Sequence, residues 1–201
     1  MHYLFSLTPN PPVLHHPPDA AVLPDAAALR SWEVLRSWKF AVDIDESGAI
    51  ARTWFVSGAE QSDEQPDAPA GIPELAVPIA AALRAWARGE AHAFAALPLH
   101  PAATAFAADI RRALVQIPLG EVVTYAELAA RAGHPHAIRA AASACARNPL
   151  PLIVPCHRVV PAASTRTSER ATHTPDYGNY AFGRALKSAL ITWEKAAKKA
   201  G

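Results

Sequence analysis

Cysteine is nearly absent from this chain. Two occur in 201 residues, Cys145 and Cys156, with no Cys-x-x-Cys pair, which excludes a disulfide scaffold. No apolar run approaches the eighteen or so residues that span a bilayer. The opening Met-His-Tyr-Leu-Phe-Ser lacks the basic flank and long apolar stretch of a secretory signal. The expectation is a soluble intracellular protein, cytoplasmic or, in a eukaryote, nuclear, with no membrane partner. His15 and His16 stand in a half without cysteine, a poor metal site, and neither metal nor cofactor is expected. Net charge is small too, 19 Lys and Arg against 18 Asp and Glu. What is abundant is apolar surface: 51% hydrophobic residues against 18% charged allow a real core and exclude disorder throughout.

The near balance of charge hides a split. Residues 1–100 carry six basic and twelve acidic side chains, a net of −6, and residues 101–201 carry thirteen and six, a net of +7. A polyanion such as nucleic acid would face the second half, although an uneven spread of solvated charge gives the same count.

Proline, at 19 of 201, is about twice as frequent as usual, and it punctuates the chain. Residues 9–18 form a Pro-rich lead-in, and residues 61–74 an acidic, Pro-rich loop. Between them, residues 37–58 place β-branched and aromatic residues on both sides of Asp45-Glu46-Ser47-Gly48, the pattern of a hairpin turning at Gly48. Leu75, Ile79, Leu83 and Trp86 recur at helical spacing up to Gly89, and Phe106, Ile110 and Leu114 do so over residues 104–116. Thr124 with Glu127 three residues on predicts a capping box, with Gly133 as the stop, and a second helix follows over residues 135–147. Two short helices around a glycine turn predict a helix-turn-helix. Its second helix is thin on one side, through Ala140, Ala141 and Ala144.

Leu152-Ile153-Val154 reads as a short strand between Pro151 and Pro155, running straight into Cys156-His157-Arg158. A thiol beside imidazole and guanidinium has the surroundings that depress a thiol pKa. Neighbours on a strand face opposite sides, so His157 reaches the sulfur only if Pro155 turns the chain, directly or through a water. Spacing alone leaves Cys156 open between a nucleophile and a buried inert thiol.

The ordered set Ile117-Pro118-x-Gly120, Thr124-Tyr125, Leu128-Ala129, Gly133, Arg139-Ala140, Asn148-Pro149-x-Pro151, Pro155-Cys156-His157-Arg158-Val159, Gly178-x-Tyr180, Lys187 and Glu194 resembles the O6-alkylguanine-DNA alkyltransferases, the methylated-DNA–protein-cysteine methyltransferases. Trp86-Ala87-Arg88-Gly89 and Thr104-x-Phe106 look like weaker traces of the same pattern. The resemblance covers residues 97–194 or so and implies an α/β N-terminal domain (residues 1–95, RNase H-like by analogy with relatives). After it would come a mainly α, winged-helix-like DNA-binding and acceptor domain (96–195) and a basic tail (196–201).

The resemblance also implies roles. Cys156 would take the alkyl group from guanine oxygen irreversibly, in a single turnover. His157 would deprotonate it through a water, with Glu194 orienting the imidazole, and Tyr125 would protonate the departing guanine. Asn148 would be the hinge tying the helix-turn-helix to the acceptor segment. Arg139 would enter the stack in place of the flipped nucleotide, with Ala140, Ala144 and Tyr125 at the minor groove of double-stranded DNA. Pro151, Val159, Tyr180 and Phe182 would line the pocket, partly through backbone carbonyls. Cys145, Arg147 and Lys187 read as structural or electrostatic, and Lys195, Lys198 and Lys199 as a frayed end. One thiol and one flipped base need no symmetry, so a monomer is expected.

Three departures from the family pattern stand out. Residues 161–179 are roughly twice the usual length and Ser/Thr/Arg-rich. Ala181-Phe182-Gly183 stands where a small residue and two glycines are usual, and Arg111 where an aromatic is common. The alternative to alkyl transfer is a non-catalytic lesion-binding relative that recruits other repair factors. Such relatives lack the acceptor cysteine, usually carrying tryptophan, whereas Cys156 is present.

Overall fold

The computed structural model describes residues 2–6, 26–57, 76–165 and 176–200. The Pro-rich lead-in, His15, His16, the acidic loop and residues 166–175 of the long loop lie outside them. Three strands, β1 (His2–Ser6), β2 (Trp38–Ile44) and β3 (Ile50–Ser57), form an antiparallel sheet in that order. The hairpin turns at Gly48, whose φ of +83° a residue with a Cβ rarely adopts. Asp45 locks the turn by accepting from the backbone amides of Ser47 and Ala49. Phe40, Ala41 and Val42 are buried in succession, so the central strand is covered on both faces.

Helix α1 (Ala26–Arg36) packs on the last helix, α6 (Arg184–Ala200), where the rings of Trp32 and Trp193 lie 4.9 Å apart. Helices α2 (Ala76–Ala87) and α3 (Ala105–Val115) follow the expected apolar spacing, because Ile79, Leu83 and Trp86 on one and Ile110 and Leu114 on the other are buried. The capping box at Thr124 and Glu127 is present and opens α4 (Tyr125–Arg131). Gly133, at φ +83°, turns the chain toward α5 (Ile138–Ala146). Strands β4 (Val123–Thr124) and β5 (Val159–Val160) pair in parallel. One apolar core runs without interruption from Leu35 and Phe40 to Leu190 and Trp193, across the boundary expected near residue 95.

Two sequence expectations give way. Residues 152–154 are turn, not strand: Leu152 takes φ +72° and the Val154 amide donates back to Leu150 O, because prolines on both sides deny the ladder its donors. The basic end is not frayed either. Helix α6 continues to Ala200, Lys198 pairs with Glu121 at 2.7 Å, and Lys195 reaches the Tyr177 hydroxyl and lies over its ring.

Candidate active site

The segment from Pro151 to Val160 is buried throughout, held from three sides. Asn148, just past α5, donates from Nδ2 to Val154 O at 2.8 Å and to Cys156 Sγ at 3.2 Å, while its Oδ1 accepts from the Leu150 amide. Strand β3 supplies Thr53, whose amide donates to Pro149 O and whose hydroxyl donates to Pro151 O at 2.9 Å. Lys187 of α6, itself buried, donates from Nζ to Val159 O at 2.8 Å. The Pro151 and Val159 carbonyls expected to face a pocket therefore each accept an internal bond.

Pro155 does turn the chain, capping a short 3-10 turn, Cys156–Arg158. The turn separates the three neighbouring side chains. Cys156 stays beside Asn148, while the two cationic partners expected to depress its pKa face Glu194 instead. Burial raises the Cys156 thiol above its ordinary value, outweighing the Asn148 hydrogen bond and the Lys187 charge, which pull it down. The Cys156 thiol is thus held neutral, the reverse of the depressed pKa expected from the sequence. Cys145, the other free cysteine, is pushed up to about 12 by burial.

His157 is 0% and Glu194 1% exposed, and His157 Nε2 lies 3.0 Å from Glu194 Oε1. Arg158 grips the same carboxylate through two nitrogens, Nε to Oε2 at 2.8 Å and Nη2 to Oε1 at 3.0 Å, and its Nη1 donates to Ile117 O. Trp86 Nε1 adds a further bond to Oε1 at 2.9 Å. Burial alone would raise Glu194, but His157 and Arg158 outweigh it and hold the carboxyl well below the usual range. An ionised Glu194 only accepts, so Nε2 carries the His157 proton. Burial lowers the His157 pKa despite Glu194, with Arg158 and Lys187 adding to the lowering. The ring is thus neutral, and its Nδ1 is buried without a hydrogen-bond partner in the protein, a free acceptor next in sequence to the thiol.

Gly120 makes this geometry reachable. Its φ is +76°, and a Cβ there would sit 2.8 Å from the Glu194 carbonyl oxygen, so only glycine lets the turn after α3 lie against α6 at Glu194. The roles of Arg158, Trp86 and Thr53 were missed from the sequence. For Arg158 the signal was its place in the Cys-His-Arg run. Helical spacing marked Trp86 only as a core residue, and nothing local marked Thr53.

Tyr125 starts α4, half-buried, its phenol pKa raised by burial and then by the neighbouring Cys145 and Cys156. The Tyr180 hydroxyl is buried within reach of the Cys156 sulfur, and burial, followed by the charge of Cys156 and hydrogen bonding with it, raises its pKa well above the ordinary value. Phe182 stacks edge-on against Phe55 of β3 at 5.0 Å and lies 5.6 Å from Tyr180. It belongs to an aromatic cluster joining the sheet to the last loop. Arg139 and Ala140 are exposed on α5, whereas Ala144 is half-buried against the core. Arg111 donates to His100 O. A separate cavity of about 500 Å³ is lined by Trp86, Arg111, Leu152, Pro155 and Arg158 among others, but not by Cys156. Among the described residues no cluster of His, Cys, Asp and Glu is placed to hold a metal ion, and no helix is long and apolar enough to cross a membrane.

The family profile described as 6-O-methylguanine DNA methyltransferase, DNA binding domain, matches residues 105–196. A probable methylated-DNA–protein-cysteine methyltransferase of Acanthamoeba polyphaga mimivirus is 34% identical over 113 residues, 56% of this chain and 68% of that protein. The chain belongs to the methylated-DNA–protein-cysteine methyltransferase family. The Haemophilus influenzae methylated-DNA–protein-cysteine methyltransferase is 42% identical over 86 residues, where the match spans 43% of this chain and about half, 48%, of that family member. Among solved structures, Mycobacterium tuberculosis OGT in complex with DNA superimposes with a TM-score of 0.56 at 25% identity, over 79% of this chain and 88% of that one. The shared architecture is an α/β part followed by a helical part. Trp86 and Thr53 fall outside the profile match, and Glu194 lies near its end.

Proposed function

We propose that this protein repairs O6-alkylguanine in double-stranded DNA by moving the alkyl group irreversibly onto its own Cys156, in a single turnover. The observation that carries the reading is a neutral buried imidazole, His157, oriented by Glu194 through Nε2 with Nδ1 left free, one residue after a thiol held by Asn148. The Cys156 S–H proton passes to His157 Nδ1 through a water as the sulfur attacks the alkyl carbon. The S–C bond forms and the C–O bond breaks, and the departing guanine takes a proton from Tyr125; His157 then releases the thiol proton to solvent and Tyr125 regains one from it, so that one proton moves from thiol to purine overall. No cofactor enters the balance.

The target base lies inside the duplex, so it is flipped out. Exposed Arg139 fills its place while α5, presenting Ala140 and the edge of Ala144, lies in the minor groove beside Tyr125. Pro151, Val159, Tyr180 and Phe182 form the base pocket, and Asn148 is the hinge between α5 and the acceptor loop. In this reading α4 and α5 form the helix-turn-helix of a winged-helix-like domain, the N-terminal part is RNase H-like, and the protein acts as a monomer inside the cell. The +7 charge of residues 101–201 suits a polyanionic partner.

Intact-protein mass spectrometry after mixing with a duplex bearing one O6-methylguanine tests this. One methyl replacing one hydrogen is expected on the native chain and none on Cys156→Ser. An unchanged native mass refutes transfer, even if the lesion is bound selectively.

A further inference from the structure

We propose that Trp86 is a positioning residue of the acceptor centre: its indole N–H, donated from α2, sets how strongly Glu194 acts on His157 and so ties the N-terminal half of the chain to the chemistry. The inference rests on the alkyl-transfer reading above. Trp86 is 2% exposed and its Nε1 lies 2.9 Å from Glu194 Oε1, although 108 residues separate the two in sequence. Helix α2 is brought to α6 by Gly89, at φ +80°, where a Cβ would meet Ala197 Cβ at 3.0 Å. Packing alone is satisfied by any large ring here. The placement of the N–H on a buried carboxylate is a separate feature, and it selects the indole.

Oε1 is the oxygen that also accepts from His157 Nε2 and Arg158 Nη2. Each donor draws on the same lone-pair density, so each weakens the pull of the carboxylate on the imidazole proton. The charged and titratable groups acting on His157 are Glu194 and Lys187 from α6 and Arg158 from its own turn. Cys156 adjoins it in sequence. Trp86 acts on this set as an uncharged donor, independent of pH. Without its N–H, more of the Glu194 charge falls on His157, the imidazolium is favoured, and Nδ1 holds a proton at a pH where it otherwise accepts one.

The test compares full-length wild type, Trp86→Phe and Leu83→Ala, the last removing buried packing from the same helix without touching Glu194. Two readouts are taken against pH: the rate of methyl transfer from an O6-methylguanine duplex, and the His157 ring resonances by NMR. For Trp86→Phe the acid-side midpoint of both is expected to move up by roughly a half to one pH unit. For Leu83→Ala the melting temperature falls and the midpoint stays. Midpoints of Trp86→Phe that coincide with wild type overturn the proposal. If the wild type accepts no methyl group, the alkyl-transfer reading fails on its own, and the His157 midpoint still decides the part of Trp86. Should Trp86→Phe not fold, the wild-type indole resonances decide. The Trp86 Nε1–H is expected downfield of that of Trp193, which has no partner, and to move upfield in Glu194→Gln. A Trp86 resonance coincident with that of Trp193 overturns the proposal.

Discussion

Arg158 neutralises Glu194 by a two-point grip, Nε to Oε2 at 2.8 Å and Nη2 to Oε1 at 3.0 Å, with both side chains buried. The pair leaves no net charge to be balanced by His157, which is why burial prevails and the ring stays neutral. A cation that the sequence sets two residues after the thiol thus serves the far end of the hydrogen-bond chain.

Removing that cation strands a buried carboxylate. Arg158→Met is expected to lose about 3–5 kcal/mol of folding stability, measured by urea denaturation. Arg158→Lys recovers only part of it, since an ammonium cannot make the two-point grip.

Acid destabilises this centre in two stages. His157 has its pKa lowered from 6.5 in the folded protein, so below about pH 6.5 the unfolded chain binds a proton that the fold refuses. Stability then falls by about 1.4 kcal/mol per pH unit until the folded pKa is reached. Glu194 is depressed from 4.5, and its contribution, present above that value, is lost as pH falls further toward the folded pKa. At the alkaline end Cys145, raised from 9.0 to about 12, withdraws stability as pH rises from 9. Denaturation midpoints measured across pH check all three, and Glu194→Gln should reduce the loss below pH 4.5, to which Asp45, Asp109, Glu121 and Glu127, also held below their ordinary values, contribute the remainder.

Gly120→Ala places a methyl 2.8 Å from the Glu194 carbonyl oxygen at a positive φ. The expected cost is about 1–3 kcal/mol, with a slower alkyl transfer, because α6 must shift at the residue that orients His157. Gly48→Ala, at a similar φ but with nothing within 4 Å and in the β2–β3 hairpin, is the control. It should lose stability without losing rate.

Phe182 fills space between Phe55 and Tyr180. Phe182→Ala is expected to raise the inactivation rate by a benzylguanine relative to a methylguanine substrate, at the cost of a lower melting temperature. Equal rate ratios in the two proteins would show that the ring does not restrict the pocket.

Much of the site was legible locally. Apolar spacing placed α2 and α3, the Thr124–Glu127 capping box and Gly133 placed α4, and Pro155 marked the turn at the thiol, because each depends on residues within one or two turns of each other. The strand expected over residues 152–154 failed for the same reason that such short runs are ambiguous: three apolar residues between prolines fit a buried turn as well as a strand.

Sequence by itself determined that this chain has one candidate acceptor in a Pro-Cys-His-Arg run, a glycine-linked pair of short helices, and a basic half fit for a polyanion. Those are statements about residue types and spacing. Only the tertiary structure decided the charge state of the centre. It took Arg158 away from the sulfur and gave it to Glu194, buried the thiol so that its pKa rises, and brought Trp86 across 108 residues to the same carboxylate oxygen. Desolvation and hydrogen bonding act over a few ångströms of space whatever the distance along the chain, and so they cannot be read before the chain is folded.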